Sequence, residues 1–208
     1  EIIWRNNLSR KDIAAIGISC GGPLDSVRGV LMSPPNLPGW DNIKITAMLS
    51  ERFGIKTGIQ NDANACALAE WKFGAGAGTK NMVFMTFGTG LGAGLILDGG
   101  LYAGTNDNAG ELGHIRLSEF GSVGYGKAGS FEGFCSGGGM AQLARSMVME
   151  KLQMGEKPAL CGSVDELPGI TAQKVAEYAL AGDELARGVF RITGEYLGRG
   201  LSVIIDML

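Results

Sequence analysis

The pattern of apolar and polar positions divides the chain into short apolar runs of β type and longer runs of helical period. Ile13 to Ser19 (IAAIGIS) is apolar, with charge before it and Gly21-Gly22-Pro23 after it, as expected of a buried strand. Ile43 to Phe53 has the period of an amphipathic helix and stops at Gly54. A second β-type run, Ile55 to Gln60, leads into Asn61-Asp62 and then into strong helix formers from Ala63 to Phe73. Strand, helix, strand, helix predicts a parallel α/β layer. The run Gly74-Ala75-Gly76-Ala77-Gly78 breaks this layer and is expected to act as a hinge between two lobes, residues 1–75 and residues 76–208.

Asn81 to Phe87 reads as a buried strand and Ala93 to Leu97 as another, followed by glycine-rich chain to Tyr102 that suits a strand better than a helix. Phe120 to Gly139 reads as a glycine-rich loop containing Glu132. Ser136 with Gly137 starts a helix over Met140 to Leu152, Glu156 to Gly169 is a connector, and Thr171 to Leu180 and Asp183 to Leu208 read as two further helices. Glycines 188, 194, 198 and 200 on the last one permit close packing against a neighbour. Glu1 to Arg10 reads as the second half of an amphipathic helix, and Asp206-Met207-Leu208 stops inside an apolar helical run without a cap, so both ends look cut.

Composition narrows the classes. A chain of 208 residues with 45% hydrophobic residues supports one large domain or two small lobes with real cores. Charges nearly balance, 18 basic against 21 acidic, which leaves no broad footprint for nucleic acid or an anionic membrane and favours a small neutral or anionic ligand. Glycine, at 35 residues, is concentrated between Gly74 and Gly139, where backbone must turn sharply or approach a ligand closely. Cys20, Cys66, Cys135 and Cys161 are scattered without a C-x-x-C and accompany a single histidine, a poor basis for a disulfide framework or a local zinc cluster. No apolar run approaches the roughly 20 residues that cross a bilayer, and no signal-peptide pattern opens the chain, so a cytoplasmic location is expected.

Four stretches could carry chemistry. At the strand-to-helix corner, Asp62 can cap the helix or face a ligand as a general base. The long loop Cys20 to Asp41 ends in Ser33-Pro34-Pro35-Asn36-Leu37-Pro38-Gly39-Trp40, where Asn36 and Trp40 offer an amide and an apolar plate to a polar ring such as a sugar, or Trp40 simply fills the core. Gly88-Thr89-Gly90-Leu91-Gly92 can form an anion-holding nest with the Thr89 hydroxyl beside it, or a glycine-bulged hairpin that binds nothing. The same residues spell G-x-G-x-x-A up to Ala93, with Glu111 near the distance of a ribose-binding acid, but a dinucleotide turn must open a helix and this one leads into a strand. Finally, Glu111 and His114 lie three apart with Gly110 and Gly113 freeing the backbone, so both could point into one pocket. A structural histidine is the alternative, and metal ligation is poor because no further ligand is near in sequence.

Taken in order, the Gly-Gly-Pro loop with N-L-P-G-W, the N-D-A-N corner, T-F-G-T-G-L-G-A-G and G-E-L-G-H resemble the ROK family of sugar kinases and sugar-responsive repressors, over nearly the whole chain. The resemblance implies an α/β, actin-like (ribonuclease-H-like) two-lobed fold with mixed sheets flanked by helices and an interlobe cleft. It implies ATP- and Mg²⁺-dependent phosphorylation of a hexose or N-acetylhexosamine hydroxyl, as in glucokinase- or fructokinase-like enzymes. Asp62 matches the family's catalytic base, Asn61, Glu111, His114 and Glu132 match positions that bond the sugar, and Asn36 lies in the loop closing over it. Gly88, Thr89, Gly90 and Gly92 match the second phosphate segment. The alternative is the effector domain of a sugar-sensing repressor, with a DNA-binding segment ahead of it.

One departure stands out. Zinc-bearing members carry C-x-C-G-x-x-G-C-x-E after the G-H motif, and here Val123, Tyr125 and Ser130 stand at the cysteine positions while Gly126, Gly129 and Glu132 are retained. No structural zinc is expected, and packing of Val123, Tyr125 and Phe131 is expected to hold the loop instead. The family's first phosphate segment, D-x-G-G-T, is expected before residue 1 and its adenosine-contacting glycine segment after residue 208. A small-molecule sugar is the expected partner, with neither nucleic acid nor membrane unless the repressor reading holds. The apolar helices of the second half suit a homodimer interface or a core equally. Spacing does not choose among sugars.

Overall fold

The computed structural model describes residues 1–208, the side chain of Ile2 excepted. It divides into two compact units, the first made of Glu1–Phe84 with Gly94–Gly110 and the second of Met85–Ala93 with Glu111–Leu208.

The first unit opens with a single helical turn, α1 (Ile2–Arg5), and a short 3-10 turn at Arg10–Asp12. The longer amphipathic helix expected over Glu1 to Arg10 does not form, because Asn7 takes a left-handed φ of 53° just beyond α1 and ends it. Strand β1 (Ile16–Cys20) then pairs in parallel with β4 (Thr57–Asn61), Ile18 opposite Ile59 and Cys20 opposite Asn61. Between them lie the small hairpin of β2 (Leu24–Asp25) and β3 (Val30–Leu31) and the helix α2 (Ile45–Phe53). A parallel pair needs such a crossover. Helix α2 ends as expected at Gly54, whose φ of 68° lets its N–H return to Ser50 O.

β1 is not buried on both faces. Ile16, Ile18 and Cys20 are half-buried and alternate with exposed Gly17 and Ser19, a period of two that the preceding Ala14-Ala15 hides in the sequence. The long loop is well anchored: Leu24 and Leu31 join Ile59 in a small core, against which Ile18, Leu37, Ile43 and Ile45 pack.

From β4 the chain enters α3 (Asp62–Phe73), and β5 (Met82–Phe87), β6 (Leu91–Leu97) and β7 (Gly100–Tyr102) form a three-stranded sheet in that order. β5 is half-buried along most of its length rather than sealed. β6 and β7 are antiparallel about Asp98-Gly99, both with left-handed φ, the geometry that Asp-Gly turns favour.

The second unit is mainly helical. The stretch expected as a loop from Phe120 to Gly139 contains a hairpin of β8 (Val123–Gly124) and β9 (Lys127–Ala128) and a short helix, α4 (Phe131–Cys135), so Glu132 is helical. Then come α5 (Gly137–Gln153), a 3-10 turn at Val164–Gly169, α6 (Ala172–Leu180) and α7 (Glu184–Met207). Their starts carry the caps that the sequence announces: Ser136, Thr171 and Asp183 each accept a backbone N–H of the first turn. The core is Ala144, Val148, Leu160, Cys161, Ile170, Val175, Ala186 and Val189. Of the α7 glycines, Gly188 and Gly200 do meet neighbours, Met147 and the Phe131 ring, while a Cβ on Gly194 or Gly198 would meet nothing. Among the described residues no helix is long and apolar enough to cross a membrane.

Candidate functional site

The corner between β4 and α3 separates two roles that sequence leaves entangled. The side chain that caps α3 is Asn61, whose Oδ1 accepts the N–H groups of Ala63 at 3.0 Å and Asn64 at 3.2 Å. Asp62 is the first helical residue, exposed, with Oδ1 accepting the Ala63 N–H at 2.9 Å and the other oxygen without a partner among the described residues. Its carboxylate is therefore only partly engaged.

Behind the corner, Gln60 Oε1 accepts from Asn61 N at 2.8 Å and from Asn64 Nδ2 at 3.4 Å. Asn64 is almost fully buried, and its Oδ1 has no partner among the described residues. A buried carbonyl left unpaired costs about 1–3 kcal/mol. The helix is held close to β6 by Gly94, where a Cβ would come 2.7 Å from Ala63 O and 3.0 Å from Asn64 Cα. Gly22 runs past the Asn61 amide, a Cβ there lying 3.7 Å from Nδ2.

Asn36 lies exposed in the proline-rich turn, where Leu37 N–H bonds Pro34 O and Trp40 N–H bonds Leu37 O. Trp40 is 42% exposed, so it does not fill the core; Leu37 does.

In the second unit, Gly88-Thr89-Gly90 turns between β5 and β6 with Gly88 N–H bonded to Gly90 O at 2.9 Å. None of Gly88, Gly90 and Gly92 takes a left-handed φ, so the turn is not a nest of alternating handedness. It is instead fixed from below by the start of α5: Gly137 N–H donates to Gly88 O at 2.8 Å and Gly138 N–H to Thr89 O at 3.2 Å. The glycines have separate reasons. Gly90 abuts the Glu132 carboxylate, whereas a Cβ on Gly88 would meet nothing within 4 Å, leaving its exposed backbone open to a close-approaching group such as a phosphate.

The structure brings Glu111 and His114 together. Glu111 precedes the 3-10 turn Leu112–His114 and His114 is its last residue, with His114 Nε2 3.5 Å from Glu111 Oε2, and the imidazole stacks on the Tyr125 ring at 4.5 Å between centroids and 17° between planes. Glu132 reaches the glycine turn, its Oε2 accepting the Leu91 N–H at 2.9 Å.

The hairpin at the former cysteine positions is held differently from the expectation. Phe131 is fully buried, but Val123 and Tyr125 are 45% and 72% exposed. What secures the hairpin is polar: Gln142 takes the Val123 N–H at 3.0 Å and donates to Val123 O at 2.8 Å, while Ser130 Oγ caps α4 through the Gly133 N–H and bonds Gly124 O. Valine, tyrosine and serine offer no thiolate, and Ser130 is already engaged, so these side chains do not fit a zinc ion.

Gln142 and the Gly137–Gly139 run are the supporting residues that sequence reasoning passed over. Their signal was present, since three consecutive glycines opening a helix cost about 1 kcal/mol each against alanine and need a packing reason.

The family model for ROK proteins matches residues 2–208. The chain belongs to the ROK family. A glucokinase of Halalkalibacterium halodurans is 32% identical over 202 residues, 96% of this chain and 60% of that one. Among solved structures, a ROK glucokinase from Streptomyces griseus in complex with glucose and AMPPNP superposes with a TM-score of 0.74 at 32% identity, over 95% of this chain and 63% of its own. A ROK transcriptional regulator, a homologue of the E. coli MLC protein, gives 0.80 at 29% identity, over 100% of this chain and 50% of its own. The fold is thus the actin-like α/β fold of ROK sugar kinases, as the ordered motifs implied. The chain spans about 60% of the length of the curated glucokinase it matches.

Proposed function

We propose that this chain is part of a ROK sugar kinase that transfers a phosphoryl group from ATP to a hydroxyl of a hexose or N-acetylhexosamine. The observation that carries this reading is the division of labour at the corner, where Asn61 does the capping and Asp62 stays exposed with an oxygen to spare. Capping, which Asn61 performs, does not use up Asp62; a first-turn acid also favours the helix dipole, so what supports the reading is the free oxygen that Asp62 exposes.

In this reading Asp62 accepts the proton of the attacking hydroxyl, commonly that on C6 in such kinases, as general base. Asn61, Glu111, His114 and Glu132 bond the remaining hydroxyls, and Asn36 belongs to the loop over the sugar. Groups left unpaired by the wrong epimer supply the discrimination. Gly88, Thr89, Gly90 and Gly92 present backbone and one hydroxyl to the phosphates. ATP would supply the transferred group and a bound Mg²⁺ would neutralise charge on its phosphates, in a reaction that relies mainly on positioning and electrostatics.

The likeness to a ROK regulator supports a second reading, a sugar-sensing repressor. Retention of both Asp62 and the glycine turn weighs against it, because a pure sensor needs no cradle for a transferred phosphate. An ATP-coupled assay of the whole protein over hexoses and N-acetylhexosamines tests the proposal. Turnover of at least one sugar is expected; sugar binding without turnover, together with sugar-sensitive binding to an operator fragment, would establish the repressor instead. Elemental analysis of the same preparation is expected to find no stoichiometric zinc.

A further inference from the structure

Glu132 stands where three separate segments of the second unit meet. It sits in the first turn of α4, and a Cβ on Gly90 would come 2.7 Å from its Oε2, one on Gly124 2.8 Å from its Cβ and Cγ, and one on Gly113 3.2 Å from its Cβ. Those glycines belong to the turn between β5 and β6, to the β8 strand and to the turn between Glu111 and His114. A side chain on Gly124 would collide with the stem of Glu132, one on Gly90 would push its carboxylate aside, and one on Gly113 would crowd its Cβ while meeting Leu91 O first, at 2.6 Å.

The carboxylate then bonds the Leu91 N–H across 41 residues of sequence, while Oε1 has no partner among the described residues. Gly88 O and Thr89 O on the same turn are held by Gly137 and Gly138 N–H groups. The turn is therefore held through two carbonyls by the start of α5, and the first residue of β6 that follows it is held through its N–H by Glu132.

We propose that Glu132 is a positioning residue for the Gly88–Gly92 segment as well as a sugar-bonding one, so that the group meeting the sugar also sets the backbone that meets the nucleotide. The sugar half of this rests on the kinase reading; the positioning half does not. Because one carboxylate serves both, sugar and nucleotide affinities become linked, and linkage is reciprocal.

The test uses the whole protein without sugar. Backbone amide exchange at Leu91 and the Kd of Mg·AMPPNP are measured for wild type, Glu132→Ala and Glu132→Gln. Alanine is expected to speed Leu91 exchange by roughly tenfold or more, the scale of losing a hydrogen bond to a charged acceptor, and to raise the AMPPNP Kd comparably. Glutamine keeps an accepting oxygen and is expected to restore most of the protection. Glu132→Met, similar in length but without a strong acceptor, gives the same comparison should the alanine variant not fold.

A residue that only contacts sugar would leave both readouts unchanged in the absence of sugar, so unchanged Leu91 exchange in a folded variant overturns the proposal. Faster exchange with unchanged nucleotide affinity overturns the linkage. A wild type that protects Leu91 and loses that protection in the variants, yet binds no AMPPNP, overturns the kinase reading and leaves the positioning role standing.

Discussion

Two helix starts in this molecule, capped in the same way, do opposite things. At α3 the cap is Asn61, taking the Ala63 and Asn64 amides, and the first helical residue is Asp62, exposed and half free. At α5 the cap is Ser136, taking the Gly139 amide at 3.0 Å, and the first two amides go to the carbonyls of Gly88 and Thr89. The first start presents a side chain, and the second has none until Met140 and grips another segment with its backbone. A cap satisfies one or two of the orphan amides; the residues that follow it decide whether the rest of the turn offers chemistry or holds it in place.

The comparison breaks most sharply at Asp62. In the whole protein, Asp62→Asn is expected to keep sugar binding and lose on the order of 10²-fold or more in kcat, the scale of a lost general base. Undiminished turnover would return Asp62 to the role of a mere first-turn residue and make the two helix starts equivalent. The corresponding insult to α5 is structural. Gly139→Ala places a methyl against Gly133 O and 2.7 Å from Glu132 O, and overpacking of that kind costs about 1–3 kcal/mol. The expected readout is a lower Tm; a variant of unchanged Tm would show that the glycines of α5 are not there for packing.

Smaller effects come from the caps themselves. Asn61→Ala and Ser136→Ala each remove a side-chain acceptor at a helix start, worth about 1 kcal/mol or roughly 2–4 °C in Tm for a chain of this size. Their difference should be functional: Asn61→Ala is expected to weaken sugar binding as well, Ser136→Ala to leave it intact. Equal losses of sugar affinity in calorimetric titrations would contradict the assignment of Asn61 as a sugar-bonding group.

Much of this was legible in the sequence because caps and stops are local. Ser136, Thr171, Asp183 and Gly54 mark their boundaries with their own side chains or lack of one. Sequence offered Asp62 as the cap of the helix, one residue too late: β4 runs to Asn61, so Asn61 is the cap and Asp62 the first helical residue. The hairpin of β8 and β9 and the helix α4 were hidden by a glycine-rich composition that reads as loop; β1 itself was legible as a strand, and only its half-buried alternation was masked by the alanines in front of it. The bond from Leu91 to Glu132 was illegible in principle, because spacing along a chain carries no information about two groups 41 residues apart.

The smallest effect expected concerns how tightly the root of α5 is closed. Cys135 is the last residue of α4, directly before the Ser136 cap, buried, with its thiol 3.5 Å from Thr193 O; Cys66 is exposed on α3. Burial pushes the Cys135 thiol up to about 12 from an ordinary 9.0. For an acid whose pKa is raised by folding, the unfolded chain loses its proton first, so stability is unaffected below pH 9 and falls between about pH 9 and 12. At pH 8 the thiolate needed for alkylation is then scarce at Cys135 for a chemical reason as well as a steric one. Iodoacetamide on the native protein is expected to label Cys66 and to spare Cys135, with mass spectrometry of the peptides as the readout. Labelling of Cys135 at a rate like that of Cys66 would mean that the segment beneath α5 opens readily, and a helix start that opens so easily could not hold the Gly88–Gly90 turn in one geometry.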